Sequence, residues 1–133
     1  MTPSDSLIRA YYDAFNRGDM PAFLALLDDD VVHDINQGSR ETGKAAFARF
    51  MDRMNGAYRE RLADIVVMTE PTGRRASAEF VVHGEYLKSD AGLPPACGQK
   101  YVLPAGAFFE IRDGRVARVT NYYNLESWIG QVK

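Results

Sequence analysis

The sequence predicts an α+β fold in which helices gather on one face of a curved antiparallel sheet. In the N-terminal half, apolar residues recur at steps of three and four, which is typical of amphipathic helices. From Arg59 onward the chain is rich in Val, Tyr, Phe and Thr and is interrupted by turn residues, which is typical of strands. A length of 133 residues suits one core. We therefore expect a single domain over residues 1–133.

The first two helices are expected at the N-terminus. Residues 4–17 form the first, which Gly18 stops, and Asp19 caps a second that ends at the three aspartates 28–30. A first strand is expected over residues 31–36, followed by a loop over residues 37–40. The apolar stripe of the first helix needs a covering layer: Leu7, Ile8, Tyr11, Tyr12 and Phe15.

A third helix is expected to begin at Thr42 or Gly43 and to end at Asn55 and Gly56. Phe50 and Met54 share its apolar face. Four strands follow over residues 62–69, 75–88, 99–111 and 115–123, and the last ten residues have a short helical pattern.

Composition excludes several classes of protein. The hydrophobic share of 46% and the net charge of −2 are those of a globular chain and not of a disordered one. No basic run exceeds Arg74-Arg75, so nucleic acid is not an expected partner. No apolar run approaches the roughly 20 residues of a membrane span, and the first residues lack the pattern of a signal peptide, so a cytoplasmic protein is expected.

Neither a metal nor a cofactor is expected. The single cysteine, Cys97, has no second thiol with which to form a disulfide or a thiolate metal site. The two histidines lack HxH or HExxH spacing, and no phosphate-binding glycine loop or dinucleotide fingerprint is present.

A sheet bent over helices encloses a cone, which is a natural pocket for a small molecule. On the strand expected over residues 75–88, His83 and Glu85 share one face, and the pattern does not decide whether that face is concave or convex. On the last strand, Asn121 and Tyr123 share the face opposite to that of Thr120 and Tyr122, again with both orientations open. We consider His83, Asn121, Tyr123, Phe50 and Met54 candidate contacts for a substrate.

Several segments carry a family resemblance. They resemble the ketosteroid isomerase-like and SnoaL-like branch of the nuclear transport factor 2 (NTF2) superfold. The segments are residues 11–19, Phe23 to Leu27, Val31 to Asp34 and the helix start at Gly43. The resemblance covers nearly the whole chain. It implies a cone-shaped NTF2-like (cystatin-like) fold, with a curved antiparallel sheet wrapped around three N-terminal helices.

The resemblance also implies roles for residues. Carried over by position, the aspartate base of ketosteroid isomerase falls on Asp34, and an ungapped register would place Ile35 there instead. The tyrosine that polarises the carbonyl falls on Tyr11. The protonated acid that completes the oxyanion hole falls on Ala107 or Gly106, neither of which has a side-chain donor.

Three functions follow as expectations. The first is a cofactor-independent isomerase or cyclase that shifts a proton on a small apolar carbonyl compound. The alternative is a non-catalytic module that holds a hydrophobic ligand in the same pocket, and an adaptor for other proteins is a third reading. A homodimer is expected, because Val116, Tyr122 and Phe108 are candidates for an outer sheet face that no helix covers.

Overall fold

Four helices and six strands make up the computed structural model, which describes residues 1–133. The order along the chain is α1 (Pro3–Arg17), α2 (Met20–Ala25), β1 (Leu27–Asp34), β2 (Arg40–Thr42), α3 (Lys44–Ala57), β3 (Tyr58–Thr69), β4 (Arg75–Tyr86), β5 (Gln99–Arg112), β6 (Arg115–Tyr123) and α4 (Leu125–Val132).

One sheet contains all six strands in the order β2-β1-β6-β5-β4-β3. Every neighbouring pair is antiparallel except β1 and β6, which run parallel. The long strands β3 to β6 form the meander that the sequence predicts, and the three N-terminal helices precede them. The predicted α+β fold class is confirmed.

Local chemistry explains where the first helices begin and end. The Thr2 side chain accepts a hydrogen bond from the Asp5 backbone N–H at the start of α1. Gly18 ends that helix in the left-handed conformation, at φ 69°, which glycine adopts without steric cost. Asp19 then caps α2 by accepting from the Ala22 N–H.

Two strands are longer than the sequence predicts. The first begins at Leu27 and not at residue 31, because Leu27 and Val31 are fully buried and anchor the strand from both sides of the exposed aspartates Asp29 and Asp30. β3 begins at Tyr58, directly after α3. The helix therefore passes straight into the sheet, with no intervening loop.

Two hydrogen bonds from one side chain hold β3 against α1. The Asn16 side chain donates to the Leu62 carbonyl and accepts from the Leu62 N–H, both at 2.9 Å. Because β3 lies at the edge of the sheet, it has no neighbouring strand on one side. The Asn16 side chain supplies backbone hydrogen-bond partners there. It also fixes the segment of β3 that faces the helices.

The outer face of the sheet is partly apolar. Phe108 and Tyr122 are 52% and 56% exposed, and their ring centroids lie 5.8 Å apart. Val116, which the sequence analysis placed on the same face, is fully buried, so that placement is wrong. Its backbone N–H donates to Leu26, and this contact holds the start of β6 beneath the end of α2.

None of the four helices combines the length and the apolar character that crossing a lipid bilayer requires.

Candidate functional site

A cavity of about 440 Å³ lies between the helices and the inner face of the sheet. Of its 30 lining residues, 21 are hydrophobic. A cavity of this size and character is typical of sites for small, largely apolar molecules. Its aromatic wall comes from all four helices and from β3, β4 and β6. It includes Tyr11, Tyr12, Phe15, Phe23, Phe47, Phe50, Tyr58, Phe80, Tyr123 and Trp128.

Five of the seven candidate residues lie on this wall, namely Tyr11, Phe50, Met54, Asn121 and Tyr123. They come from α1, α3 and β6. The curvature of the sheet thus brings together side chains that are far apart in the sequence. The other two candidates, Asp34 and His83, are not part of the wall.

The expectation that Asp34 faces the cavity is wrong. Its carboxylate accepts hydrogen bonds from Arg40 at 2.6 and 3.1 Å and from the Thr120 hydroxyl at 2.6 Å. The Arg40 hydrogen bond is the main reason why the pKa of Asp34 is lowered to about 2. A carboxylate so strongly held in its ionised form, outside the cavity, is poorly suited to be a proton-transfer base.

His83 also lies on the other side of the sheet. It pairs with Arg61 of β3 and Val102 of β5, and Val102 is 53% exposed. Its neighbour Val82 lines the cavity, and successive residues of a strand point to opposite faces. The face of β4 that carries His83 is therefore the outer one. The expectation that His83 contacts a substrate in the cavity is wrong.

Tyr11 presents its ring to the cavity from α1. It packs on Phe23 and Phe109, with centroid distances of 4.6 and 5.3 Å. Burial raises the pKa of the Tyr11 phenol, which therefore remains protonated. A protonated phenol on an apolar wall is a hydrogen-bond donor for a ligand oxygen.

Glu60 is one of two carboxyl groups in the cavity wall, the other being that of Asp90. Its Oε2 accepts a hydrogen bond from the Tyr101 hydroxyl at 2.5 Å, and Oε1 has no partner within the protein. Burial raises the pKa of Glu60, and the hydrogen bond from Tyr101 opposes that shift. Glu60 thus has the partly desolvated surroundings that tune a carboxyl group for acid–base work.

His33 and Asn121 form a second polar group on the wall. The Asn121 amide nitrogen lies 3.4 Å from His33 Nε2, and the imidazole stacks on Phe47 at 4.2 Å between centroids. Burial lowers the pKa of His33 to about 4. His33 is therefore neutral near pH 7, and its buried Nδ1 has no hydrogen-bond partner.

Asp90, in the loop between β4 and β5, links that loop to the cavity wall. It accepts hydrogen bonds from Arg53 of α3 at 3.1 Å and from the Tyr58 hydroxyl at 3.0 Å. Burial, followed by this hydrogen bond, raises the pKa of Tyr58. Asp90 and Arg53 both line the cavity, where they form an ion pair.

Sequence reasoning missed Glu60 and His33 as cavity residues. The signal for Glu60 was present, because Tyr58, Glu60 and Leu62 alternate with two arginines, as on a strand with one buried face. The expected strand began at residue 62 and so left this alternation out. No group of three or more His, Cys, Asp or Glu side chains is placed to hold a metal ion.

The fold and the cavity together define an α+β protein with a largely apolar pocket between its helices and its sheet. Residues 8–119 match the SnoaL-like domain family, and the chain belongs to that family.

Solved structures agree with this assignment. A proposed polyketide cyclase from Pseudomonas putida is 67% identical, with a TM-score of 0.97, over 100% of this chain and 99% of that one. A second proposed polyketide cyclase, from Xanthomonas campestris, is 60% identical, with a TM-score of 0.95, over 98% and 97% of the two chains.

The fold extends to more distant proteins. An NTF2-like protein of unknown function from Burkholderia pseudomallei is 17% identical, with a TM-score of 0.79, over 100% of this chain and 99% of that one. The predicted NTF2-like, SnoaL-like fold is thereby confirmed. No curated protein matches the chain significantly in sequence.

Proposed function

We propose that this protein is a cofactor-independent acid–base enzyme of the cyclase or isomerase type. Its substrate is a small, largely apolar carbonyl compound, and Glu60 is the group that moves the proton. The observation that carries the proposal is a carboxyl group on the wall of an apolar cavity, with its pKa raised by burial and one oxygen free of protein partners.

The proposed chemistry starts from ionised Glu60. Its Oε1 takes a proton from the carbon next to the substrate carbonyl, and the electron pair of the broken C–H bond moves onto the carbonyl oxygen to give an enolate. In an isomerisation, protonated Glu60 returns the proton to a different carbon. In a cyclisation, the enolate carbon bonds to a second carbonyl carbon of the same molecule, and the oxygen of that carbonyl takes the proton from Glu60.

Tyr11 is the proposed donor to the enolate oxygen. Its phenol is protonated and lies on the apolar wall, where a hydrogen bond to a developing charge is stronger than in water. Asn121 and Tyr123 are proposed to orient polar groups of the substrate. Phe50 and Met54 of α3 are proposed to pack against its apolar part.

The description of the two relatives as proposed polyketide cyclases fits this chemistry. A polyketide chain carries carbonyls on alternate carbons, so the carbon between two of them loses a proton easily. Such a chain also supplies both the enolate and the second carbonyl that a cyclisation needs.

The alternative is a non-catalytic protein that binds a hydrophobic ligand. It is favoured by the lack of a side-chain donor at Gly106 and Ala107, where ketosteroid isomerase has its protonated acid. Losing one oxyanion donor costs such an enzyme about a hundred- to a thousandfold in rate. The two functions differ in whether Glu60 is needed for turnover or only lines a binding site.

The test uses hydrogen–deuterium exchange at the enolisable carbon of 2-tetralone, a bicyclic ketone, followed by proton NMR in D₂O. We expect Glu60→Gln to slow catalysed exchange by about a hundred- to ten-thousandfold, the range for loss of a general base. Asp34→Asn is the matched control and should exchange at the wild-type rate, because Asp34 lies outside the cavity.

Binding is measured separately through the fluorescence of Trp128, the only tryptophan, which lines the cavity. Glu60→Gln should bind the ketone nearly as well as the wild type. Binding by both proteins with no exchange above background in either would support the ligand-binding alternative. Equal exchange by both would refute Glu60 as the base.

We also propose that the protein forms a homodimer through the outer sheet face. Phe108 and Tyr122 leave a large apolar area in water there, and association would bury it. Sedimentation should find a dimer at micromolar concentration and a monomer for Phe108→Asp. Only monomer in the wild type would contradict this proposal.

A further inference from the structure

The hydrogen bond between Tyr101 and Glu60 crosses an intervening strand. Glu60 of β3 lies opposite Gly84 of β4, and Gly84 lies opposite Tyr101 of β5. Neighbouring strands lie about 4.8 Å apart, so Glu60 and Tyr101 are about two strand spacings from each other. Direct contact needs a side chain that spans the middle strand with nothing in its way.

Gly84 provides the open path. A Cβ atom at position 84 would lie 2.2 Å from Tyr101 Cζ and 2.4 Å from the Tyr101 hydroxyl oxygen. Any other residue would therefore collide with the phenol. The ring of Tyr101 lies directly over the glycine, and this is how its hydroxyl reaches Glu60 Oε2 at 2.5 Å.

Packing fixes the ring from the other side. Tyr101 is 2% exposed, and Trp128 of α4 meets it edge-on, with 5.8 Å between centroids. The Gln99 side chain donates to the Val132 carbonyl at 2.7 Å, which holds α4 against the start of β5. The phenol therefore has little freedom to leave Glu60.

We propose that Tyr101 is a positioning residue for Glu60. Glycine is needed at position 84 because any larger residue would occupy the space of the Tyr101 ring. This inference rests on the proposed function. The phenol holds Oε2, so that Oε1 is the oxygen presented to the substrate. Its hydrogen bond also favours the ionised carboxylate, which is the form that accepts a proton.

Other titratable groups line the cavity near Glu60. Tyr123 of β6 is close enough for the Glu60 charge to raise its pKa. Tyr58 of the same strand and Asp90 of the β4–β5 loop also line the cavity, and Asp90 is paired with Arg53 of α3. Burial raises the pKa of Tyr58 and of Tyr123, so neither phenol ionises near neutral pH. Tyr101 is the group that hydrogen bonds to Glu60 directly.

The first test is the pH dependence of 2-tetralone exchange by Tyr101→Phe, which keeps the ring and removes the hydroxyl. Without the hydrogen bond the pKa of Glu60 rises further, so ionised Glu60 appears only at higher pH. The acid limb of kcat/KM should therefore move to higher pH, and the loss of rate should be greatest at low pH. A purely structural role would lower the rate equally at all pH values.

The second test is Gly84→Ala, which leaves both Glu60 and Tyr101 in the chain. The added methyl group forces the phenol away, so the acid limb should move in the same direction as in Tyr101→Phe. Gly56→Ala is the matched control, because a Cβ at Gly56 in α3 meets no atom within 4 Å. Its pH profile should superimpose on that of the wild type.

A third readout does not depend on turnover. The Glu60 carboxyl signal, assigned by its loss in Glu60→Gln, can be titrated by ¹³C NMR in any variant that folds. We expect this titration to move to higher pH in Tyr101→Phe and in Gly84→Ala.

The outcomes separate the two proposals. Inactive Glu60→Gln together with unmoved pH profiles and titrations in both other variants would overturn the role of Tyr101 and leave the proposed function standing. Fully active Glu60→Gln would overturn the proposed function and, with it, this inference.

Discussion

Asp34 and Glu60 are two carboxyl groups on one sheet with opposite surroundings. Asp34 lies on the outer face, where Arg40 and Thr120 hold it ionised and lower its pKa to about 2. Glu60 lies on the inner face, where burial raises its pKa and Tyr101 is its one hydrogen-bond partner. The comparison teaches that the face of the strand, more than the residue type, decides what a carboxyl group can do here.

The same contrast holds within β1. Asp34 and His33 are adjacent, so their side chains point to opposite faces of the sheet. His33 is 2% exposed and lines the cavity, whereas Asp34 pairs with Arg40 outside it. A shift of one residue in the assigned register therefore exchanges a cavity residue for a surface one.

The largest expected difference between the two faces is in packing. Phe47→Ala removes a ring that is 1% exposed and stacks on His33, and it should lower the free energy of unfolding by about 3–5 kcal/mol. Phe108→Ala removes a ring that is 52% exposed, and it should cost less than about 1 kcal/mol. Urea denaturation at pH 7 measures both, and equal costs would contradict the assignment of the faces.

A smaller effect is the loss of folding stability at acid pH that results from protonation of His33. The unfolded chain protonates His33 near its ordinary pKa of 6.5, whereas the folded chain does so only near 4, because burial lowers the pKa. The unfolded state therefore binds protons first, and the free energy of unfolding should fall by about 3 kcal/mol from this group as the pH drops from 6.5 to 4.

The check is the pH dependence of urea denaturation in the wild type and in His33→Gln. The difference in unfolding free energy between the two proteins should change across this interval, because only the wild type has the imidazole. A difference independent of pH would show that His33 titrates normally.

The effect of Asp34→Asn should be smaller than that of acid on His33. A lowered carboxyl pKa adds stability above the ordinary value of 3.8, and this stability disappears as the pH falls toward about 2. Since the pair with Arg40 is partly exposed to solvent, we expect a loss of only about 1 kcal/mol at pH 7. Denaturation at pH 7 and at pH 3 should show the loss shrinking, and an undiminished loss at pH 3 would argue against the ion pair as its source.

Much of the fold could be predicted from the sequence. Helical and strand periods in the apolar residues identify three helices and four long strands, and Asp113-Gly114 marks the last hairpin. The bounds of β1 and β3 could not be predicted. The residues Asp28–Asp30 look like a turn, and α3 passes directly into β3 with no turn between the two elements.

The candidate site was less predictable. Alternation tells which residues share a face, and it correctly separates His33 from Asp34. It does not tell which face is covered by helices, since that depends on packing between distant segments. The Tyr101–Glu60 contact is even harder to predict from the sequence, because it depends on the register across three strands and on the space left by Gly84.

The most direct test of the account is a ¹³C NMR titration of the carboxyl groups of Glu60 and Asp34 in the folded wild-type protein. The Glu60 carboxyl should titrate above the ordinary range of glutamate, and that of Asp34 should titrate near 2. Titration of Glu60 at or below its ordinary range would contradict a sheltered acid–base group on the cavity wall.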